Sequence, residues 1–356
     1  MSSPPAQPAT ASAASPAAAT SGSSPPTTAL EPDVDAAPAG ALDDDGNSAY
    51  GDSLVGSDTA SMASSILKYR MENGRRYHAY KAGAYFMPND DIENERLDLQ
   101  HNLCVLIQGN KLFLAPVGKD KPLNRVLDAG TGTGIWAMDF ADEHPEANVV
   151  GVDLSPIQPS FVPPNVEFFI DDLEADWTFI RPFDFIYCRM LTGSIRDWPK
   201  LFGQALRHLN PGGYIELHDP SNPLRSDDNT LPKDCALNRW NDFFLEASLK
   251  LGAPMNSSDH YEQQLKDAGF VNVTVVEEKW PINTWPRDKK YKEVGAWVQE
   301  NIQQGLEALS LALFTNVLGW SPEQVQLLLV DVRKDLKKRE YHAYWPVRTV
   351  YGQKPE

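Results

Sequence analysis

The chain has 356 residues, 42% of them hydrophobic, and a formal net charge of −17, enough length for one large domain or two ordinary ones. Its acidic balance argues against nonspecific nucleic-acid binding, which draws its affinity from Lys and Arg neutralising phosphates. Cys104, Cys188 and Cys235 lie far apart, with no CxxC pair and no histidine at ligand spacing, which argues against zinc and a disulfide framework and suits a reducing compartment, cytoplasmic or nuclear. No apolar run reaches the roughly 18–20 residues that span a bilayer.

Residues 1–65 are Ala, Ser, Pro, Thr and Gly with eight acids and no base, which leaves the remainder at −9. Ordering a residue costs roughly 1–2 kcal/mol of backbone entropy, and this composition has little apolar surface to offset it. A disordered acidic tail is expected. It lacks the basic start and apolar stretch of a signal peptide. Residues 66–356 then read as one folded domain, with a core at 120–282, a helical insertion at 283–340 and a closing strand at 341–352.

In chain order, residues 60–73 read as a short helix stopped by Asn73-Gly74, followed by the tyrosine-rich RRYHAYKAGAYFMPND. Residues 91–108 carry Ile92, Leu99, Leu103, Leu106 and Ile107 at helical spacing, with acids in the first turn. Strands are then expected at 125–130, 148–155, 166–172, 183–190, 214–219 and 271–280, and helices at 134–143, 198–209, 236–251 and 261–268. Residues 291–318 and 322–338 look helical. Strands spaced by helical patterns indicate βαβ units with right-handed crossovers. The expectation is an α/β fold: a doubly wound, mostly parallel, seven-stranded Rossmann-like sheet with helical N-terminal and C-terminal additions.

The stretch VLDAGTGTGIWAMDF (126–140) places Gly130, Gly132 and Gly134 where a strand hands over to a helix. Glycines there let a backbone turn sharply and approach a ligand, and the helix start offers free amides. Alone this is weak, because Gly132-Thr-Gly134-Ile-Trp-Ala137 also satisfies the GxGxxA dinucleotide fingerprint, and a glycine turn can serve packing only. Acidic groups separate the candidates. Asp128 precedes the glycines, placed to face a ligand ammonium or a water. Asp153 ends the next strand, placed to accept both hydroxyls of a ribose. Asp171 and Asp172 end the third, within reach of an adenine amino group. A ligand with a ribose, an adenine, a positive sulfur and an amino-acid end suits them better than a diphosphate.

That pattern, with PGGYIE (211–216) before the fifth strand, resembles the class I S-adenosylmethionine-dependent methyltransferases over about 120–282 plus the closing strand. A narrower resemblance, to the fungal LaeA-like methyltransferases, rests on ENGRRYHAYKAGAYFMPNDDIENERLDLQH (72–101), CRMLTGSIRDW (188–198) and VYGQKP (350–355). It implies S-adenosylmethionine as cofactor, a small metabolite or protein as methyl acceptor, and a link to fungal secondary metabolism or development. The alternative it leaves open is a regulatory subunit that binds the donor and acts through protein partners.

Acceptor-side residues should lie beyond the strand ends. Arg189 and His218 qualify, with the competing readings of a loop-holding ion pair and a buried structural histidine. Tyr77, Tyr80 and Tyr85 are candidates for a lid, or for ordinary packing. CRML after the fourth strand departs from the Asn/Asp-Pro-Pro-Tyr/Phe of enzymes that methylate planar nitrogens, which argues against DNA amino-methylation. RKDLKKRE (333–340) is mixed in sign and reads as a solvated helix face.

Overall fold

The computed structural model describes residues 29–33, 69–78, 85–119 and 121–356. Strands β1 (Arg70–Glu72) and β2 (Arg75–Tyr77) pair antiparallel across Asn73-Gly74, both at positive φ (50° and 78°). Two left-handed residues of this kind match the twist of a hairpin. The helix expected at 60–73 is therefore corrected at 69–73, where the turn chemistry outweighs the apolar spacing; 60–68 lies outside the described residues.

Helix α1 (Asp91–Ile107) starts on Asp90, whose carboxylate accepts the Glu93 amide at 3.1 Å and a two-pronged bond from Arg75 of β2 at 2.6 and 2.8 Å. The alternating region follows: β3 (Arg125–Ala129), α2 (Ile135–Glu143), β4 (Asn148–Asp153), β5 (Val166–Ile170), β6 (Phe183–Arg189), α3 (Trp198–His208) and β7 (Leu209–Pro220). A two-residue β8 (Arg225–Ser226), α4 (Ala236–Leu251), α5 (Tyr261–Ala268), β9 (Val271–Pro281), α6 (Lys289–Leu318), α7 (Pro322–Leu336) and β10 (Ala343–Gln353) complete the chain.

The sheet order is β5-β4-β3-β6-β7-β10, with β9 and the short β8 both paired to β10. The first five strands are parallel, and β10 runs antiparallel between β7 and β9. Strands β3, β4 and β6 are buried almost throughout, as helices on both faces require. Trp136, Ala137 and Phe140 of α2 pack on one face; Leu201 and Phe202 of α3 and Tyr261 and Leu265 of α5 pack on the other. A third core joins α1, α4, α6 and α7 to the ends of β9 and β10 through Trp280, Ile282 and Trp345. The chain order reverses around β3, so β4 and β6 diverge there and leave a crevice at their carboxyl ends. The helical additions stand over that crevice.

Residues 29–33, inside the tail expected to be disordered, are docked. The Asp33 amide donates to the Trp285 carbonyl at 2.8 Å and the Arg287 amide to the Glu31 carbonyl at 2.7 Å, with Pro32 opposite Pro286, where neither strand needs a donor. Leu30 packs on the helical core, and the Asp33 carboxylate meets Lys292 and Arg339. The short segment offsets its ordering cost with contacts to distant residues, which local composition does not display.

Candidate active site

The turn after β3 is held from below. The amides of Gly130 and Thr131 both donate to the Val152 carbonyl, at 2.8 and 2.9 Å. Gly130, Gly132 and Gly134 all have positive φ (77°, 57° and 82°). A Cβ on Gly130 would lie 2.4 Å from Leu191 Cδ2, and one on Gly134 2.4 Å from Phe168 Cζ. At Gly132 a Cβ would make only an ordinary contact, 3.8 Å from Leu97 Cδ1, and the backbone angle is the constraint. The Gly132 amide donates to Asp153 Oδ2 and the Ser155 amide to Asp153 Oδ1, each at 2.9 Å. Each oxygen thus holds one backbone amide and keeps a lone pair in reserve. Burial raises the Asp153 pKa while those amides pull it down.

Gly130, Gly132, Asp153, Ser155, Asp171 and Asp172 line one end of a cavity between the sheet and helices α1, α4 and α6. The far end is aromatic: Trp240, Phe244, Trp280 and Trp345, with Met255 beside them. These five are at most 7% exposed, so this end of the cavity is internal. The buried Trp280 indole N–H and the Asn89 Oδ1, both on the cavity wall, have no hydrogen-bond partner among the described residues. Arg96 on α1 also lines the cavity, where Glu93 neutralises it with bonds of 2.6 and 3.0 Å and Asn301 accepts from it at 2.7 Å.

A methyltransferase-domain profile matches residues 99–275. The chain is 44% identical over 300 residues to a protein named methyltransferase pytC from Aspergillus terreus, an alignment covering 84% of this chain and 92% of that one. The chain belongs to the LaeA-like methyltransferases. It is 37% identical to the secondary metabolism regulator LAE1 of Cochliobolus heterostrophus, over 80% of this chain and 95% of that one. With the protein-methionine methyltransferase laeA of Emericella nidulans it shares 36% identity, over 81% of this chain and 77% of that one. Membership makes it an S-adenosylmethionine-dependent enzyme of methyl transfer.

The cavity suits that donor. Gly130 and Gly132 put backbone without side chains on its wall, Asp153 has lone pairs left for hydroxyls, and Asp171 and Asp172 line it as well. Other expected positions fall elsewhere. Asp128 does not line the cavity; it is 3% exposed behind the turn, accepts a 2.5 Å bond from the Thr131 hydroxyl, and burial raises its pKa to about 6. Gly134 is the N-cap of α2, shaped by Phe168 rather than by the cavity. Tyr77 is fully buried under the Arg70 guanidinium, away from the cavity, and burial raises its pKa to about 12. Tyr85 and Arg189 do line it, while Tyr80 lies outside the described residues.

His218 is the clearest correction. It sits opposite Thr349 in the β7–β10 ladder, with Nδ1 2.8 Å from the Thr349 hydroxyl and 3.0 Å from Gln108 Nε2. Burial first, then the Arg189 charge, lower its pKa to about 3, so the imidazole is neutral and packed into the sheet rather than open to an acceptor. Its neighbour Asp219 accepts the Tyr261 hydroxyl at 2.8 Å and the Thr192 amide at 3.2 Å, tying down the loop after β6.

Sequence reasoning missed Arg96 and the aromatic end. One signal was present: six of the nine tryptophans lie beyond residue 236, in the helical additions and the last strands. Which of them meet at a cavity is a matter of packing.

Proposed function

We propose that this LaeA-like enzyme methylates a small, flat, largely apolar metabolite. The observation that carries the reading is the internal wall of Trp240, Phe244, Trp280 and Trp345, continuous with the glycine turn. Aromatic faces of this kind bury a planar ligand and favour offset stacking. In the same reading Asp153 accepts the ribose hydroxyls, Asp171 and Asp172 take the adenine end, and the backbone at Gly130 and Gly132, bare of side chains, lets the nucleoside lie close. The bound donor supplies a sulfonium whose methyl group is electrophilic. What the chain adds is placement: buried walls exclude water and hold the acceptor atom in line, and well-oriented reactants gain roughly 7–11 kcal/mol this way.

No histidine lines the cavity among the described residues. In this reading the acceptor brings a nucleophile that needs no histidine base, such as an enol or phenol that ionises readily. The name of pytC supports a methyl-transfer output rather than a purely regulatory one. We also place the protein in the cytoplasm or nucleus, a reading supported by its free cysteines.

The test is incubation with methyl-labelled S-adenosylmethionine and two fractions of a fungal extract, small molecules and proteins. Label in a small-molecule product that falls at subsaturating acceptor on Trp280→Phe supports the reading. Label confined to protein overturns it.

A further inference from the structure

Two guanidinium groups line the cavity, and they are held differently. Arg96 is neutralised by Glu93 at 2.6 Å. Arg189, the last residue of β6, forms no ion pair with a carboxylate among the described residues. Its Nη2 instead lies 3.1 Å from His101 Nδ1, and His101 Nε2 lies 2.9 Å from Asp139 Oδ2. A guanidinium only donates and a carboxylate only accepts. The imidazole between them is therefore neutral, with its proton on Nε2 and its Nδ1 lone pair turned to Arg189. An imidazolium would set one N–H against another.

A neutral acceptor fixes the direction of a guanidinium without cancelling its charge. That is the difference between His101 under Arg189 and Glu93 beside Arg96. The His101 side chain is 3% exposed on α1, whereas the Asp139 side chain on α2 is 50% exposed, so the relay starts in solvent and ends at the cavity. Asp128 feels the Arg189 charge but is bonded to Thr131. In the β3–β6 ladder Ala129 opposes Cys188, which brings Arg189 level with Gly130. A half-buried cation with no carboxylate bonded to it gains from an anion that joins it.

We propose that Asp139, His101 and Arg189 form a relay that aims an uncancelled cation into the cavity as an oxyanion site beside the glycine turn. The inference rests on the donor reading above. Its occupant is a carboxylate at the amino-acid end of the donor or an ionised oxygen on the acceptor, and one experiment separates the two. Arg189 touches the ligand; His101 and Asp139 are positioning residues.

Calorimetry of the full chain compares S-adenosylhomocysteine with 5′-methylthioadenosine, which has the same nucleoside and thioether but no amino-acid end. Arg189→Gln is expected to weaken S-adenosylhomocysteine by about tenfold or more and to leave 5′-methylthioadenosine within about twofold. Arg189→Lys, which keeps charge but not the fork, should fall between, and covers the case in which the glutamine variant does not fold. His101→Ala should lose part of the affinity for S-adenosylhomocysteine, and His101→Asn, whose carbonyl accepts from Arg189, should restore it; a merely structural histidine would not show that rescue. If Arg189→Gln spares both adenosyl ligands but weakens 4-hydroxycoumarin, a planar anion, and not neutral coumarin, the site belongs to the acceptor. If folded Arg189→Gln and Arg189→Lys leave all four ligands unchanged, the relay is overturned. Wild-type protein that binds neither adenosyl ligand would overturn the donor reading instead, leaving the coumarin pair to judge Arg189.

Discussion

Replacing Asp153 with Asn changes one oxygen to an amide nitrogen and removes the charge. In the wild type Oδ1 and Oδ2 hold the amides of Ser155 and Gly132 at 2.9 Å each. Asn retains one such bond and sets its NH2 against the other amide, so the variant loses one acceptor for the turn and one for a ribose hydroxyl. A hydrogen bond to a charged group contributes about 1.5–3 kcal/mol, which corresponds to roughly 10- to 150-fold in dissociation constant. The fold should survive, because the turn keeps the two bonds from Gly130 and Thr131 to Val152 and that from Gly134 to Thr131 at 2.9 Å. Titration calorimetry with S-adenosylhomocysteine, alongside circular dichroism melting, measures both effects. Burial raises the Asp153 pKa, so acidification should weaken wild-type binding by protonating this acceptor and leave the variant less affected. A folded Asp153→Asn protein that binds within about twofold of wild type would refute the assignment.

Removing residues 1–28 should leave stability unchanged, whereas removing 1–60 deletes the bonds of Glu31 and Asp33 and should lower it by about 1–3 kcal/mol in a denaturant titration. Gly134→Ala combines a φ of 82° with a Cβ 2.4 Å from Phe168, a cost of about 2–5 kcal/mol in the same titration. Trp280→Phe keeps the aromatic wall but loses the unpartnered N–H, so KM for the acceptor should rise about two- to tenfold with S-adenosylhomocysteine affinity intact. Glu216 accepts the Leu114 and Ala115 amides at 2.9 and 2.5 Å, yet burial raises its pKa from 4.5 to about 8. Between those values the folded chain holds a proton that the unfolded chain has lost, so its stabilisation is full below about 4.5 and fades as pH rises through 8. Relative to Glu216→Gln, the wild type should therefore gain stability as pH is lowered from 8 towards 5.

The alternation of strand and helix was legible because each element carries its own period and punctuation. The helices at 236–251 and 261–268 match their apolar spacing and glycine stops to the residue. The glycine turn and Asp153 were legible for a related reason: they follow one another along a short stretch, so strand, turn, helix and next strand place them without help from distant parts of the chain. The hairpin at 70–77 was misread because short apolar runs carry no unambiguous period, and the Asn-Gly pair that decides it was taken as a helix stop. Asp128 and His218 were misassigned on a different ground. Lying at or near a strand end says which end of the sheet a residue occupies, not whether its side chain meets a cavity or is claimed by Thr131, Gln108 or Thr349.

What the sequence by itself determined is therefore the glycine-turn side of the cavity: a doubly wound sheet, a glycine turn, and a carboxylate after the second parallel strand, all set by local order and spacing. The aromatic wall was decided only in three dimensions. Trp240 on α4, Trp280 on β9 and Trp345 on β10 are separated by 40 and 65 positions, and His101 meets Arg189 across 88. Each contact depends on how the helical additions close over the sheet. That closure follows from burying apolar faces together, a nondirectional force that leaves no fixed spacing in the chain.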